Sequence, residues 1–138
     1  MNKPRNFIHF LAESVDYKVY AICESVYLKN KNTSKKQNDF CKEDIFITWH
    51  YGDPNDAIIL ASEKYIIVSG CGLTIYDIEK EIENHILEEP NNIVWTNGLH
   101  QDEMDDPNNE FRFIRYNDSN NLRVYKMNVK TLEQIEIE

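Results

Sequence analysis

Asp77-Ile78-Glu79-Lys80-Glu81-Ile82-Glu83-Asn84-His85-Ile86-Leu87-Glu88 is the stretch on which the fold class turns. Its isoleucines recur at 78, 82 and 86 with charged and polar residues between them, and Pro90 follows. A four-residue spacing stacks side chains on one helical face, and a proline just beyond cannot continue the helix. The spacing predicts a helix over residues 77–88, the main helix of the chain.

Around it the sequence reads as strand. At the C-terminus, Phe111-Arg112-Phe113-Ile114-Arg115-Tyr116 and Leu122-Arg123-Val124-Tyr125-Lys126-Met127 flank Asn117-Asp118-Ser119-Asn120-Asn121, residues that tolerate turn geometry. A hairpin is predicted there, with an edge strand from Leu132 to Ile137. Upstream, Ala57–Ala61 and Tyr65–Val68 are short apolar runs joined through Ser62-Glu63-Lys64, and Gly70-Cys71-Gly72 separates them from Leu73-Thr74-Ile75-Tyr76. Asp44–Tyr51 reads as a strand closed by Gly52-Asp53-Pro54-Asn55. Phe7–Glu13 and Tyr17–Leu28 are rich in aromatic and β-branched residues, and Tyr20, Ile22, Val26 and Leu28 share one parity. A helix over Val15–Leu28 competes with the strand there. Residues 29–38 and most of 91–110 read as loop, apart from Ile93-Val94-Trp95. The expected fold is α+β, predominantly antiparallel β, with about seven or eight strands and one main helix near 77–88. No internal repeat is visible.

The chain has 138 residues, 41% of them hydrophobic and 12% aromatic, enough core material for a single folded domain over 1–138. The formal charge is −9 and the pI about 4.9, which argues against a nucleic-acid backbone or an anionic membrane as partner. No apolar run approaches a membrane span. Phe7–Ala12 is shorter than an export-signal core, and the odd count of three cysteines has no paired spacing. A reduced, cytoplasmic setting is expected.

The charge is unevenly spread. Residues 1–69 hold nine bases and nine acids, whereas residues 70–138 hold six and fifteen. Between 77 and 110 eleven acids face one base, Lys80, and Trp95, Leu99, His100 and Met104 lie among them. Aromatic and methionine residues inside a charged rim are what an interface core contains, and one-signed charge speeds encounter with an opposite partner. Glu79, Glu83, Glu88, Glu89, Trp95, Leu99, His100, Asp102, Glu103, Met104, Asp105 and Asp106 form the candidate binding surface for a basic protein. Reversing Asp102, Glu103, Asp105 and Asp106 to lysine is expected to slow association and leave the fold intact.

Catalytic signals are thin. The run His100–Asp106 carries oxygen and imidazole donors but lacks the calcium-loop pattern and any H-E-x-x-H. No metal and no cofactor is assigned. Gly70-Cys71-Gly72 lacks the third glycine of a dinucleotide loop and reads as a turn needing positive φ. Cys71 with His85 or His100 could form a nucleophile and base only if the fold joins them.

The segments Ser69-Gly70-Cys71-Gly72-Leu73-Thr74-Ile75-Tyr76-Asp77, Trp95-Thr96-Asn97-Gly98 and the hairpin Phe111–Met127 resemble those of immunity proteins of bacterial polymorphic-toxin and contact-dependent inhibition systems. The resemblance covers about the last 70 residues. It implies a cytoplasmic, non-enzymatic protein that neutralises a basic toxin domain, such as a nuclease, by covering its substrate groove. It assigns no residue a role. Two other classes stay open: a small metal-dependent enzyme using the 100–106 cluster, and a self-associating structural or phage accessory subunit.

Overall fold

The computed structural model describes residues 8–89 and 92–138, so the basic N-terminal run and the Pro90 stop signal lie outside the described residues. Three four-stranded antiparallel sheets follow one another along the chain, each a simple meander. Sheet I holds β1 (His9–Glu13), β2 (Tyr17–Ile22), β3 (Ser25–Asn30) and β4 (Ile45–Trp49). Sheet II holds β5 (Asp56–Ile59), β6 (Tyr65–Gly70), β7 (Gly72–Asp77) and β8 (Ile82–Ile86). A two-residue pair, β9 (Glu88–Glu89) and β10 (Asn92–Ile93), leads to sheet III. That sheet holds β11 (Thr96–His100), β12 (Glu110–Tyr116), β13 (Leu122–Asn128) and β14 (Gln134–Glu136).

The expected helix at 77–88 does not form. Four is an even number, so isoleucines at 78, 82 and 86 satisfy the two-residue period of a strand as well as one helical face. Turn chemistry decides between them. The Asp77 carboxylate accepts the Lys80 N–H at 2.9 Å, Glu81 adopts φ +55°, and its N–H reaches the Asp77 carbonyl. The chain therefore reverses over 78–81, and β8 pairs with β7 from Asp77↔Ile82 to Leu73↔Ile86. A helix there would have left the edge of the buried strand β7 unpaired. No α-helix occurs among the described residues; the one helical turn is a 3-10 turn at Asp106–Asn108.

The strand count also exceeds seven or eight, since the three sheets alone hold twelve. Tyr17–Leu28 is neither one strand nor a helix. It is the hairpin of β2 and β3, reversed where Cys23 takes φ +53° with no glycine, asparagine or proline to announce it. Thr96–His100, read as irregular, is the first strand of sheet III and carries a bulge at Gly98. The hairpins at 57–68 and 111–127 and the edge strand near the C-terminus form where the sequence places them.

Sheet II lies between the other two, with β5 beside both β1 and β11. Val19, Val26, Leu28 and Ile47 of sheet I pack on Ala57, Ile66, Val68 and Tyr76. On the other side Ile67, Leu73 and Ile75 pack on Phe111, Phe113, Tyr125 and Met127 of sheet III. Residues of both parities in β6 and β7 are therefore buried, which explains their unbroken apolar runs. Four-stranded sheets stacked with their first strands adjacent are an arrangement that propeller blades also use. Successive sheets start at His9, Asp56 and Thr96, 47 and then 40 residues apart.

The array has two ends. One gathers hairpin turns: Glu63 accepts hydrogen bonds from Ser14 Oγ and from the Asp16 N–H, and Gln101 accepts the Ala61 N–H at 2.9 Å. The other gathers the links between sheets. There the N–H groups of His50 and Gly52 donate to the Glu24 carbonyl and carboxylate, each at 2.7 Å. Thr96 Oγ1 donates to the Gly72 carbonyl at 2.7 Å, and Asn55 Nδ2 to the Thr96 carbonyl at 2.9 Å.

Candidate protein-binding surface

The acidic residues singled out in the sequence do not share one face. Glu79 sits in the β7–β8 turn, at the hairpin-turn end together with Asp102, Glu103, Met104 and Asp106. Met104 is 79% exposed. Glu83 and Glu88 instead flank His85, at 2.7 and 3.4 Å, on the outer edge of sheet II. Trp95 pairs with Cys71 at the linker end. The side chain of Glu89 lies outside the described residues.

Two candidates turn inward. Leu99 is in the core between sheets II and III, because the Gly98 bulge rotates it away from solvent. Asp105 is 2% exposed, with Arg112 Nε and Nη2 donating to its two oxygens at 3.0 and 3.3 Å. Burial alone would raise the Asp105 carboxyl, but Arg112 and the Asp102 N–H more than offset it and hold the group below the usual carboxylate range. Arg112 also reaches Asp102 at 3.2 Å, and His100 Nε2 lies 3.8 Å from that carboxylate. Part of the acidic run is thus neutralised within the protein. Among the described residues no group of three or more His, Cys, Asp or Glu side chains is arranged to hold a metal ion.

The linker end gathers what the sequence reading missed. Trp49 and Tyr51 are 52% and 55% exposed, with ring centroids 6.1 Å apart. Gly52, next in the chain, packs against the Cys71 thiol, and Cys71 pairs with Trp95, itself 44% exposed. Trp49 and Tyr51 are thus one exposed aromatic pair, and Trp95 is exposed at the Cys71 bridge, with the Glu24 carboxylate held on the Gly52 N–H. The clue in the sequence was Trp49-His50-Tyr51 running straight into a glycine-aspartate-proline turn, which puts alternate aromatics at a strand end.

Beneath this surface a polar chain runs from the buried His50 and Thr74 out to the exposed His85. His50 Nδ1 is 3.2 Å from Thr74 Oγ1, which is 3.1 Å from His85 Nδ1, and His85 Nε2 is 3.3 Å from Thr48 Oγ1. It ties β4 of sheet I to β7 and β8 of sheet II. The order hydroxyl, imidazole, carboxylate (Thr74, His85, Glu83) imitates a nucleophile with its base. Thr74 is wholly buried, however, so no substrate reaches it. Burial, then the nearby His85, pulls the His50 imidazole down to about 4, while Glu24 acts weakly the other way. Cys71 joins neither histidine: its thiol contacts Gly52, His85 is held by Thr74 and Glu83, and His100 ends β11 at the other end of the array.

A cleft of about 530 Å³ opens between sheets II and III, lined by Lys64, Tyr65, Asp77, Lys80 and Lys130 among others. It contains no histidine or cysteine, and its charges are of both signs.

No protein-family model and no curated protein matches this chain. The crystal structure of the tricorn protease aligns with it at 6% identity and a TM-score of 0.49, over 99% of this chain and 18% of that one. No helix among the described residues is long and apolar enough to cross a membrane.

Proposed function

We propose that this chain is a non-enzymatic binding protein that occupies a basic protein partner, with the linker end as its contact surface. The exposed pair Trp49 and Tyr51, with Trp95 exposed at the same end of the array, supports this reading most directly. Tryptophan and tyrosine are the residues most enriched at the energetic centres of interfaces, and isolated apolar residues, not clusters, are ordinary on a surface. Glu24, Asp53 and Glu88 supply the acidic rim. Glu79, Asp102, Glu103 and Asp106, at the far end, raise the encounter rate through the overall field.

The most concrete form of this function is a cytoplasmic immunity protein that shuts a bacterial toxin domain away from its substrate. The chain's charge of −9 suits a cationic, nucleic-acid-cleaving toxin. Occlusion needs no catalytic group of its own.

Wild type and a W49A/W95A variant, immobilised as paired baits in one lysate of the source cells and eluted with rising salt, test the proposal. Both substitutions are at exposed positions, and equal melting temperatures check the fold. A basic polypeptide held by wild type at physiological salt and lost by the variant is the expected result. Equal retention by both removes the linker end from the account.

A further inference from the structure

We propose that an extended cationic segment of the partner adds to sheet II as a fifth strand along the open edge of β8. The added strand presupposes the basic partner of the proposed function. It gives that partner a second contact beside the linker end, which β8 approaches at Ile86, next to Gly72.

Among the described residues β8 pairs with β7 and with no other strand. Proteins normally blunt such an edge with a bulge, a proline, a lysine or a very short strand. The other outer strands of this chain follow that rule. The pairings of β1, β4 and β11 each carry a break in register, β14 has three residues, and β5 lies beside β1 and β11. β8 does not follow it. Its five pairs, from Asp77↔Ile82 to Leu73↔Ile86, run without a shift, and it holds no lysine and no proline.

The register fixes what this edge offers. The Ile78 N–H bonds the Lys64 carbonyl and the Glu81 N–H bonds the Asp77 carbonyl. Thr74 and Tyr76 therefore bond β6, and Leu73, Ile75 and Asp77 bond Ile86, Asn84 and Ile82 of β8. By alternation, Glu83 and His85 point their N–H and C=O groups away from β7, where an added strand takes them up.

The side chains set the pattern of that strand. Glu83 and Glu88 flank His85 on one face. A lysine or arginine opposite Glu83 makes a cross-strand pair of opposite charge. Ile82, 51% exposed, and Asn84 face the other way, into the cleft between sheets II and III. Lys64, Lys80 and Lys130 line that cleft, so residues of the segment on its side are apolar and the cationic ones lie on the Glu83 face. Over residues 77–88 the five acids Asp77, Glu79, Glu81, Glu83 and Glu88 stand against one Lys80. Two β8 edges brought together would join two such acidic stretches, which selects a cationic strand over a second copy.

Calorimetric titration with the blocked peptide Lys-Val-Lys-Val-Lys-Val tests this, beside two N-methylated forms of it. The lysines are the residues whose N–H groups meet β8, so methylating their nitrogens should weaken binding at least about tenfold, whereas methylating the valine nitrogens should change it less than about threefold. Glu83→Pro removes an outward N–H and no bond to β7, and should match the lysine methylation; Glu83→Gln, which keeps the N–H, should lose less. The methylated peptides decide the matter even if the proline variant fails to fold. No binding of the parent peptide up to about 1 mM overturns the proposal. Equal losses from both methylations overturn it, as does binding abolished by W49A/W95A and kept by Glu83→Pro. A wild-type dimer that Glu83→Pro dissociates makes the occupant a second copy and overturns it too. The paired baits judge the linker end separately, so either contact can fail alone.

Discussion

The Lys29 ammonium lies 2.9 Å from the Asp44 carboxylate, with the two side chains 0% and 1% exposed. Asp44 also accepts from the Tyr20 hydroxyl at 2.5 Å and the Cys41 N–H at 3.0 Å, and Lys29 donates to Ser34 Oγ at 3.1 Å. One buried ion pair thus pins the connection between β3 and β4 onto sheet I. Burial and Asp44 hold the Tyr20 hydroxyl far above its ordinary range, so it serves as a fixed donor. Removing one partner strands the other charge, and Asp44→Ala should cost about 3–5 kcal/mol in urea unfolding. Replacing both, as Lys29→Met with Asp44→Leu, should cost much less. Single variants within about 0.5 kcal/mol of wild type would show the pair is solvated.

His50 makes stability depend on pH in a defined window. Its folded-state value of about 4 lies below the 6.5 of the free side chain, so between these values the unfolded chain binds a proton that the folded protein refuses. The contribution is complete above pH 6.5, falls as pH drops toward 4, and amounts to on the order of 3 kcal/mol. His50→Gln should flatten the slope of unfolding free energy across this window. An unchanged slope would mean that His50 protonates in place.

Gly72 has φ +86°, and a Cβ there would lie 2.8 Å from Glu88 Cβ and 2.9 Å from the Ile86 carbonyl oxygen. The second contact is backbone and cannot be relieved by trimming a side chain. Gly72→Ala should lose about 1–3 kcal/mol, and adding Glu88→Gly, which removes that Cβ, should not restore it. Recovery in the double variant would place the obstacle in the side chain alone.

Charge reversal separates surface acids from structural ones. Glu103→Lys and Asp106→Lys should each stay within about 0.5 kcal/mol of wild type, and Asp102→Lys, which breaks a half-exposed pair with Arg112, should cost about 1 kcal/mol. Asp105→Lys would set a second cation against Arg112 in a closed site and should lose about 3–5 kcal/mol. The reversal of all four, expected from the sequence to spare the fold, should therefore unfold it. Thermal melts of the four single variants decide the point; equal melts would contradict the buried role of Asp105.

The legible parts of the sequence are those where local chemistry and tertiary demand agree. The hairpin of β12 and β13 shows alternation and a turn of asparagine, aspartate and serine. Sheet II shows apolar runs, though not that two neighbours cover it. The helix failed because isoleucines four apart serve either period, and what settles the matter is a hydrogen bond from Lys80 to Asp77. Cys23 turns the chain without a turn residue. The threefold repetition of sheets was hidden because each sheet conserves a pattern of burial, not a string of residues. Leu99 and Asp105 were misplaced for a related reason: their partners, Phe111 and Arg112, come from a strand that composition cannot set beside them. Trp95 stood out in the sequence among the acids, but Trp49 and Tyr51, exposed at the same end of the array, lie more than 40 residues upstream.

The chain has two tryptophans, Trp49 and Trp95, and both belong to the proposed contact surface. Their emission therefore reports on that surface without any label. The most direct test is tryptophan emission during titration, at fixed protein concentration, with a tryptophan-free form of the basic polypeptide retained by the wild-type bait. Binding through the linker end predicts a shift to shorter wavelength and protection from acrylamide quenching, both saturating at the binding stoichiometry. Saturable binding with unchanged emission and quenching would contradict the account.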